Sequence, residues 1–571
     1  MRQRDLWWGL FGVVFALGNG CAAKLRRPAP SSSNTTTTVA SAPELTWAVQ
    51  NRFRLLEPRP KEDATRVLFD RFAELYAKIG DPTRPPEHWN VPETRWNCRQ
   101  PNWTCRRYDP GYVDVSRWDV RLDAHLPGKC NWRFETEAGG GTAEPQPQDC
   151  RGFSHTFGPG RTKVTATAVD DAARTTSAVV APRDVIIASL GDSYASGEGV
   201  PDLAAHKSSP SDLIGHDASW MDHRCRRSLF SGPGLAALEY AIINEHVSVT
   251  HVTFACSGAT LNHERSKDGH ADGGLLLPYS GVWNKDAPAL EAQVDALKAT
   301  LAPPGHAPAD ADFLTITIGG NDLGFGDAVE AAIEKPLSVL QKVVGEWKED
   351  ADRRFTDESM KQLRGALDDA HASVKYGTTV IVNDYPDPTS IFRVSAEMSM
   401  TDAVLKENCG IRNGRQLHFA PPYSIDELKV KELQTTLITE VLTKASMIRG
   451  ALEGIPVDSH ELDAYQSHGY CALGLNTPGM PERWVNTVPD SAKLYSKLGY
   501  VAAMASDPAR GGSMHPNIRG QAEFARILLL KIVDGECEKH PNQLDSEICS
   551  PNRPWLDQIP IPGGRSAEPG H

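Results

Sequence analysis

Apolar and polar positions follow three different periods along this chain, and each predicts a different kind of element. Within Lys61 to Ile79, residues Val67, Leu68, Phe72, Leu75, Tyr76 and Ile79 recur at steps of three and four. That spacing puts them on one helix face, and Gly80 stands where the helix should stop. From about Val113 the period becomes two. Val120, Leu122, Ala124 and Leu126 alternate with Arg121, Asp123 and His125, and Cys130, Trp132 and Phe134 continue the alternation. Val164 to Val169 and Thr175 to Val180 read as two further strands, set apart by turn residues such as Gly158-Pro159-Gly160. Beyond Pro182 the apolar runs become continuous, at 185–190, 247–255, 313–318, 379–382 and 455–457. Helical stretches lie between them, such as Ala287–Leu301, and after them, such as Gln521–Val533. Strands that are apolar on both faces and alternate with helices predict a parallel sheet covered on both sides. Functional sites in such sheets lie beyond the C-terminal ends of the strands.

The short alternating strands predict a small β-sandwich over 113–182. It resembles Ig-like or PKD-like modules, which implies a spacer rather than a binder, since no binding face is marked. The length of 571 residues accommodates two or more domains. A hydrophobic share of 40% and a charged share of 23% fit a globular protein with a core. The formal net charge of −13 argues against a sequence-independent grip on nucleic acid, which needs clustered Lys and Arg.

The N-terminus (1–21) reads as an export signal. Arg2 and Arg4 precede an apolar run from Leu6 to Leu17 that is too short to span a bilayer, and Cys21 follows small residues. Cys21 resembles the lipidated Cys of bacterial lipoproteins, although Leu17 lies four places before it where three is usual. Two readings stay open: lipidation of Cys21, giving a membrane tether, or its loss with the signal. A polar tether (22–60, with Ser31 to Ala42 as its low-complexity part) and a helical, Cys-containing lead-in (61–112) come next. After 183–550, residues 551–571 read as a flexible tail. Eleven Cys are present, and without Cys21 the number is even, as in exported disulfide proteins. Local candidates are Cys225 with Cys256, Cys409 with Cys471, and Cys537 with Cys549, while Cys98, Cys105, Cys130 and Cys150 would pair among themselves. No C-x-x-C occurs and no His stands at ligand spacing beside the Cys, which argues against zinc.

Several strands end in residues suited to acyl transfer: Gly191-Asp192-Ser193 in "GDSYASGEG", then "ACSGAT", "TIGGND" and, near the end, "HPN" at His515. These four blocks, in order over about 184–533, resemble the SGNH (GDSL-type) hydrolase superfamily, in its secreted actinobacterial esterase and lipase branch. "CRRS" and "YPDP" share that likeness. The resemblance implies a flavodoxin-like three-layer α/β/α domain with a central parallel sheet. It implies Ser193 as nucleophile, His515 as general base, and an oxyanion hole from the Ser193 and Gly258 N–H groups and the Asn321 side chain. Gly258 and Asn321 fit ordinary turn positions equally well. A serine needs a base, and histidine titrates near neutrality. Many family members carry Asp three residues before the His, where this chain has Gly512. The Gly512 main-chain carbonyl is then the expected partner of His515, with Asp507 as the weaker candidate. The chemistry requires no metal and no cofactor. Expected substrates are lipid esters, simple carboxylic esters or acetylated glycans, the first two favoured. An acyltransferase stays open as an alternative. A non-catalytic envelope binding protein would be marked by a broken block, and none is broken. The location implied is secreted or attached to a bacterial envelope.

Overall fold

In a computed structural model, the described residues are 45–57, 63–77, 112–137, 139–207, 215–262, 273–279, 289–334, 336–386, 438–457, 483–486, 488–496, 512–541 and 548–559, with a few positions between. The export signal, Cys21, Cys409, Cys471 and Asp507 lie outside them.

The period-two region folds as expected. Its strands are β1 (Thr46–Val49), β2 (Trp118–Asp123), β3 (Lys129–Thr136), β4 (Gly140–Ala143), β5 (Arg151–Phe157), β6 (Thr162–Ala168) and β7 (Thr175–Val180). One antiparallel sheet runs β1-β2-β5 and the other β7-β6-β3-β4. Alternate side chains from both sheets, including Val120, Leu122, Trp132, Phe134, Val164 and Ala166, form one core. Cys130 and Cys150 are disulfide-bonded. Strand β1 corrects the tether reading of 22–60, because Thr46 pairs with Asp123 and Val49 with Val120. Four residues are too few to display a period, and the partner strand lies far along the chain.

Helix α1 (Ala64–Ala77) leads to the α/β domain. That domain is built from β8 (Arg183–Gly191), α2 (Ser193–Ser196), α3 (Gly232–Ile243), β9 (Val247–Thr253), α4 (Gln293–Leu301), β10 (Phe313–Thr317), α5 (Phe325–Glu334), α6 (Leu337–Arg354), α7 (Asp357–Asp369), β11 (Thr379–Asn383), α8 (Thr439–Leu452), β12 (Ile455–Val457), α9 (Val488–Tyr495) and α10 (Ile518–Lys539). The five strands are all parallel, in the order β9-β8-β10-β11-β12. That is the flavodoxin-like order 2-1-3-4-5. Helix α3 packs on α1 and α10, and α7 packs on α4 and α8, giving the two outer layers. Residues 185–191 of β8 are all buried, as a strand covered on both faces must be.

The edge strand β9 is covered by the chain that precedes the domain. The Val249 N–H donates to the Arg52 carbonyl at 2.6 Å, and the Arg54 N–H donates to the Val249 carbonyl at 2.9 Å. The Trp118 indole donates to Ser248 Oγ at 3.0 Å, and the Tyr112 hydroxyl donates to the His251 carbonyl at 2.8 Å. Phe53, Leu68, Phe72, Tyr108 and Tyr112 share one core with Val185 and Ile187 of β8. The sandwich is therefore fastened to the α/β domain through β9. At the other end, Trp555 and Ile559 are buried, so the tail reading is corrected for 551–559. Trp555, Leu556 and Ile559, in a stretch with two prolines, show no periodic signal. No described helix is long and apolar enough to cross a membrane.

Candidate active site

Strand β8 ends in Gly191, whose φ is 139°. A Cβ there would overlap the Thr317 carbonyl oxygen of β10, so the position admits only glycine. Gln293 clamps it from α4, accepting the Gly191 N–H at 2.7 Å and donating to the Gly191 carbonyl at 2.8 Å. Asp192 caps α2 by accepting the Tyr194 N–H at 3.1 Å. It also accepts the Tyr385 hydroxyl, which in turn takes the Gly320 N–H at 3.2 Å. Burial pushes the Asp192 carboxyl up to about 7, against the opposing pull of the Tyr385 hydroxyl and the Tyr194 N–H. Ser193 is thus the first residue of a rigid strand-to-helix turn and is 7% exposed.

The chain returns to this turn 322 positions later. His515 Nε2 lies 2.7 Å from Ser193 Oγ, and His515 Nδ1 lies 3.0 Å from the Ser513 carbonyl oxygen. With Nδ1–H donating to that carbonyl, Nε2 is the bare nitrogen and accepts the hydrogen bond of the Ser193 hydroxyl; the hydrogen-bond network assigns this tautomer. The imidazole is 12% exposed. Burial pushes its pKa down to about 4, the Ser513 carbonyl opposes this, and the Arg226 charge adds to it.

The expected Gly512 carbonyl is not the group on Nδ1. It accepts the His515 main-chain N–H at 3.3 Å, closing a turn in which Met514 has φ 64°. That turn leaves the Ser513 carbonyl facing the ring. The glycine itself has a steric cause. A Cβ at 512 would overlap the Tyr495 hydroxyl and stand 2.9 Å from Ser491 Oγ. The space that an aspartate would use is filled from α9.

The other two blocks converge on the same end of the sheet. The Cys256 N–H donates to the Gly191 carbonyl at 2.9 Å, and Cys256 is disulfide-bonded to Cys225. Gly258 follows at φ 79° and is partly exposed. Asn321 Nδ2 donates to the Ala259 carbonyl at 2.9 Å, which sets Asn321 beside the Gly258 turn. Asp322 accepts the Leu261 N–H at 3.0 Å, joining the third block to the second. The stretch 273–279 supports this turn. Leu275 is buried, and the Tyr279 hydroxyl donates to the Ser257 carbonyl. The structure thus brings Ser193, His515, Gly258 and Asn321 to one end of the sheet. Cys537 and Cys549 are also bonded. Among the described residues no group of three or more His, Cys, Asp or Glu is placed to hold a metal ion.

No family model and no curated protein matches the chain. Solved structures similar to part of it include two from Streptomyces. The extracellular lipase of Streptomyces rimosus is 17% identical, covering 61% of this chain and 98% of its own, at a TM-score of 0.33. Phospholipase A1 of Streptomyces albidoflavus is 16% identical with the same coverage, at 0.32.

Three residues inside the motifs escaped the sequence reading. Glu198, in "GDSYASGEG", is 4% exposed, pairs with Arg226 of "CRRS", accepts the Ser257 hydroxyl, and lies 3.7 Å from His515 Nε2. Their motif positions were visible, but their pairing needs the fold to bring 198, 226 and 257 together.

Proposed function

We propose that this chain is a serine ester hydrolase of the SGNH type. The observation that carries the proposal is the 2.7 Å contact between His515 Nε2 and Ser193 Oγ, at the C-terminal end of a parallel strand. In this reading Ser193 Oγ attacks the ester carbonyl carbon while its proton passes to His515 Nε2. Negative charge collects on the former carbonyl oxygen and is met by the Ser193 and Gly258 N–H groups and Asn321 Nδ2. The carbon–oxygen bond to the alcohol then breaks, and the alcohol leaves with the proton from Nε2. Water attacks the acyl-Ser193 ester, giving its proton to Nε2, and the second tetrahedral species collapses to acid and free serine. The Ser513 carbonyl holds the ring through Nδ1, so this reading needs no carboxylate on that side.

Carboxylic esters of lipids and simple alcohols are the substrates of this reading, and an extracytoplasmic location belongs to it. The disulfides Cys130–Cys150, Cys225–Cys256 and Cys537–Cys549 support that location, since such bonds persist in oxidising compartments. A p-nitrophenyl ester series of increasing chain length tests the proposal on wild type and Ser193→Ala. Hydrolysis that drops by about a thousandfold or more in Ser193→Ala is expected. Undiminished hydrolysis in that variant would remove the proposal. A strong preference for acetate would redirect it to O-acetyl esters.

A further inference from the structure

The charged groups around His515 form an arrangement that the dyad mechanism does not use. The imidazole is faced by Glu198, just beyond the nucleophile helix, and by Arg226, whose charge acts on it. The Tyr194 ring lies at 5.3 Å, and its hydroxyl donates to the Met514 carbonyl. The two oxygens of Glu198 have separate partners. Oε1 takes the Arg226 guanidinium. Oε2 takes the Ser257 hydroxyl and lies 3.7 Å from His515 Nε2. Arg226 is held in turn at 4.9 Å over the Tyr495 ring, and the Tyr495 hydroxyl donates to the Glu198 carbonyl. One buried carboxylate oxygen therefore touches the turn that carries Gly258 and faces the nitrogen that receives the proton.

We infer that Glu198 is a positioning residue of the reaction, supplying from the Nε2 side the negative charge that an acid three places before the histidine would supply from the Nδ1 side. The inference rests on the ester-hydrolase reading above. While the imidazole is neutral, Oε2 gains little from facing it. When the Ser193 proton reaches Nε2, an imidazolium stands opposite a carboxylate in a site largely closed to water, where such an attraction is strong. The carboxylate takes no proton, which stays on Nε2 until the leaving alcohol removes it. Arg226 orients Glu198 in the buried site through Oε1, and Ser257 links the position of Oε2 to the oxyanion turn. The crowding at Gly512 explains why the charge enters from this side: Tyr495, which fills the space of the missing acid, is the residue that packs on the Glu198–Arg226 pair.

Steady-state kinetics of p-nitrophenyl butyrate hydrolysis against pH test this on wild type, Glu198→Gln, Glu198→Asp and Ser193→Ala, with a melting curve for each. Glu198→Gln removes the charge at nearly constant size and leaves one acceptor oxygen in place of two. Its kcat should fall about 10- to 100-fold, part of what a general base contributes, with KM changed less than about threefold. The acidic limb of kcat/KM should move down by about one pH unit, because Arg226 then acts on the imidazole unopposed. Glu198→Asp should lie between Glu198→Gln and wild type in both respects. An unmoved limb and a wild-type kcat in folded Glu198→Gln would overturn the inference. So would a loss of kcat of equal size in both variants with the limb unmoved, the signature of a purely structural ion pair. Should Glu198→Gln fail to fold, Glu198→Asp decides alone: a limb displaced downward supports the inference and a wild-type limb overturns it. Activity that persists in Ser193→Ala would instead sink the ester-hydrolase reading itself.

Discussion

His515 is held neutral by its surroundings well below the ordinary imidazole range. A base must be unprotonated to accept a proton, so the group is competent from neutral pH down to about 4. The kcat/KM profile of wild type should therefore be flat through neutrality and lose activity on its acidic side with a midpoint near 4, and a midpoint at 6 to 7 would contradict the buried environment. Gly512 supplies a second expectation at this scale. Restoring the familiar acid by Gly512→Asp should lower activity by at least about tenfold rather than raise it, because the new side chain meets Tyr495 and Ser491 before it reaches Nδ1. Measured kcat/KM at or above wild type would show that α9 yields.

At the scale of elements, the site depends on how strands and helices hold their ends. Helix α3 packs against α10, and this contact contains an unusual residue. Glu239 of α3 is 1% exposed, and its Oε2 has no hydrogen-bond partner. Burial pushes its pKa well above 4.5; Arg526 pulls it down and Glu523 adds to the rise. Because the folded pKa is raised, the stability this group contributes is full below 4.5 and is lost as pH rises through the folded pKa. Glu239→Gln should therefore be more stable than wild type at pH 7, by about 1 kcal/mol. The difference should close as pH falls toward 4.5, which urea melts at the two pH values would read directly.

At the scale of the molecule, the chain before the α/β domain is part of that domain's core. An exposed edge strand invites pairing with other chains, and here residues 52–54 and the aromatic residues Tyr108, Tyr112 and Trp118 cover β9. Phe53 is fully buried at this junction. Phe53→Ala should lower unfolding stability by about 3–5 kcal/mol and increase aggregation on heating. A loss under 1 kcal/mol by denaturant titration would mean that the covering segment is dispensable.

Elements with strong periodic signals were legible before any coordinates. The five continuous apolar runs became the five parallel strands, and the alternation at 120–134 became the inner face of the sandwich, because burial on two faces or on one writes a different period into the chain. The turn residues Gly191, Gly258 and the block at Asn321 were legible for a similar reason: tight backbone at a strand end restricts the residue types that fit. Strand β1 was not legible, since four residues carry no period and its partner is distant. The Ser513 carbonyl was not legible either, because every residue has a carbonyl and only the turn decides which one faces the ring. Glu198, Arg226 and Ser257 each stood inside a quoted motif, yet a charge in a motif has no partner until the fold supplies it. Local chemistry and periodicity are properties of neighbours along the chain, and the sequence alone determined them. The Ser193–His515 contact, the steric exclusion at Gly512 and the carboxylate facing Nε2 join residues far apart in the chain, and only tertiary packing decided them.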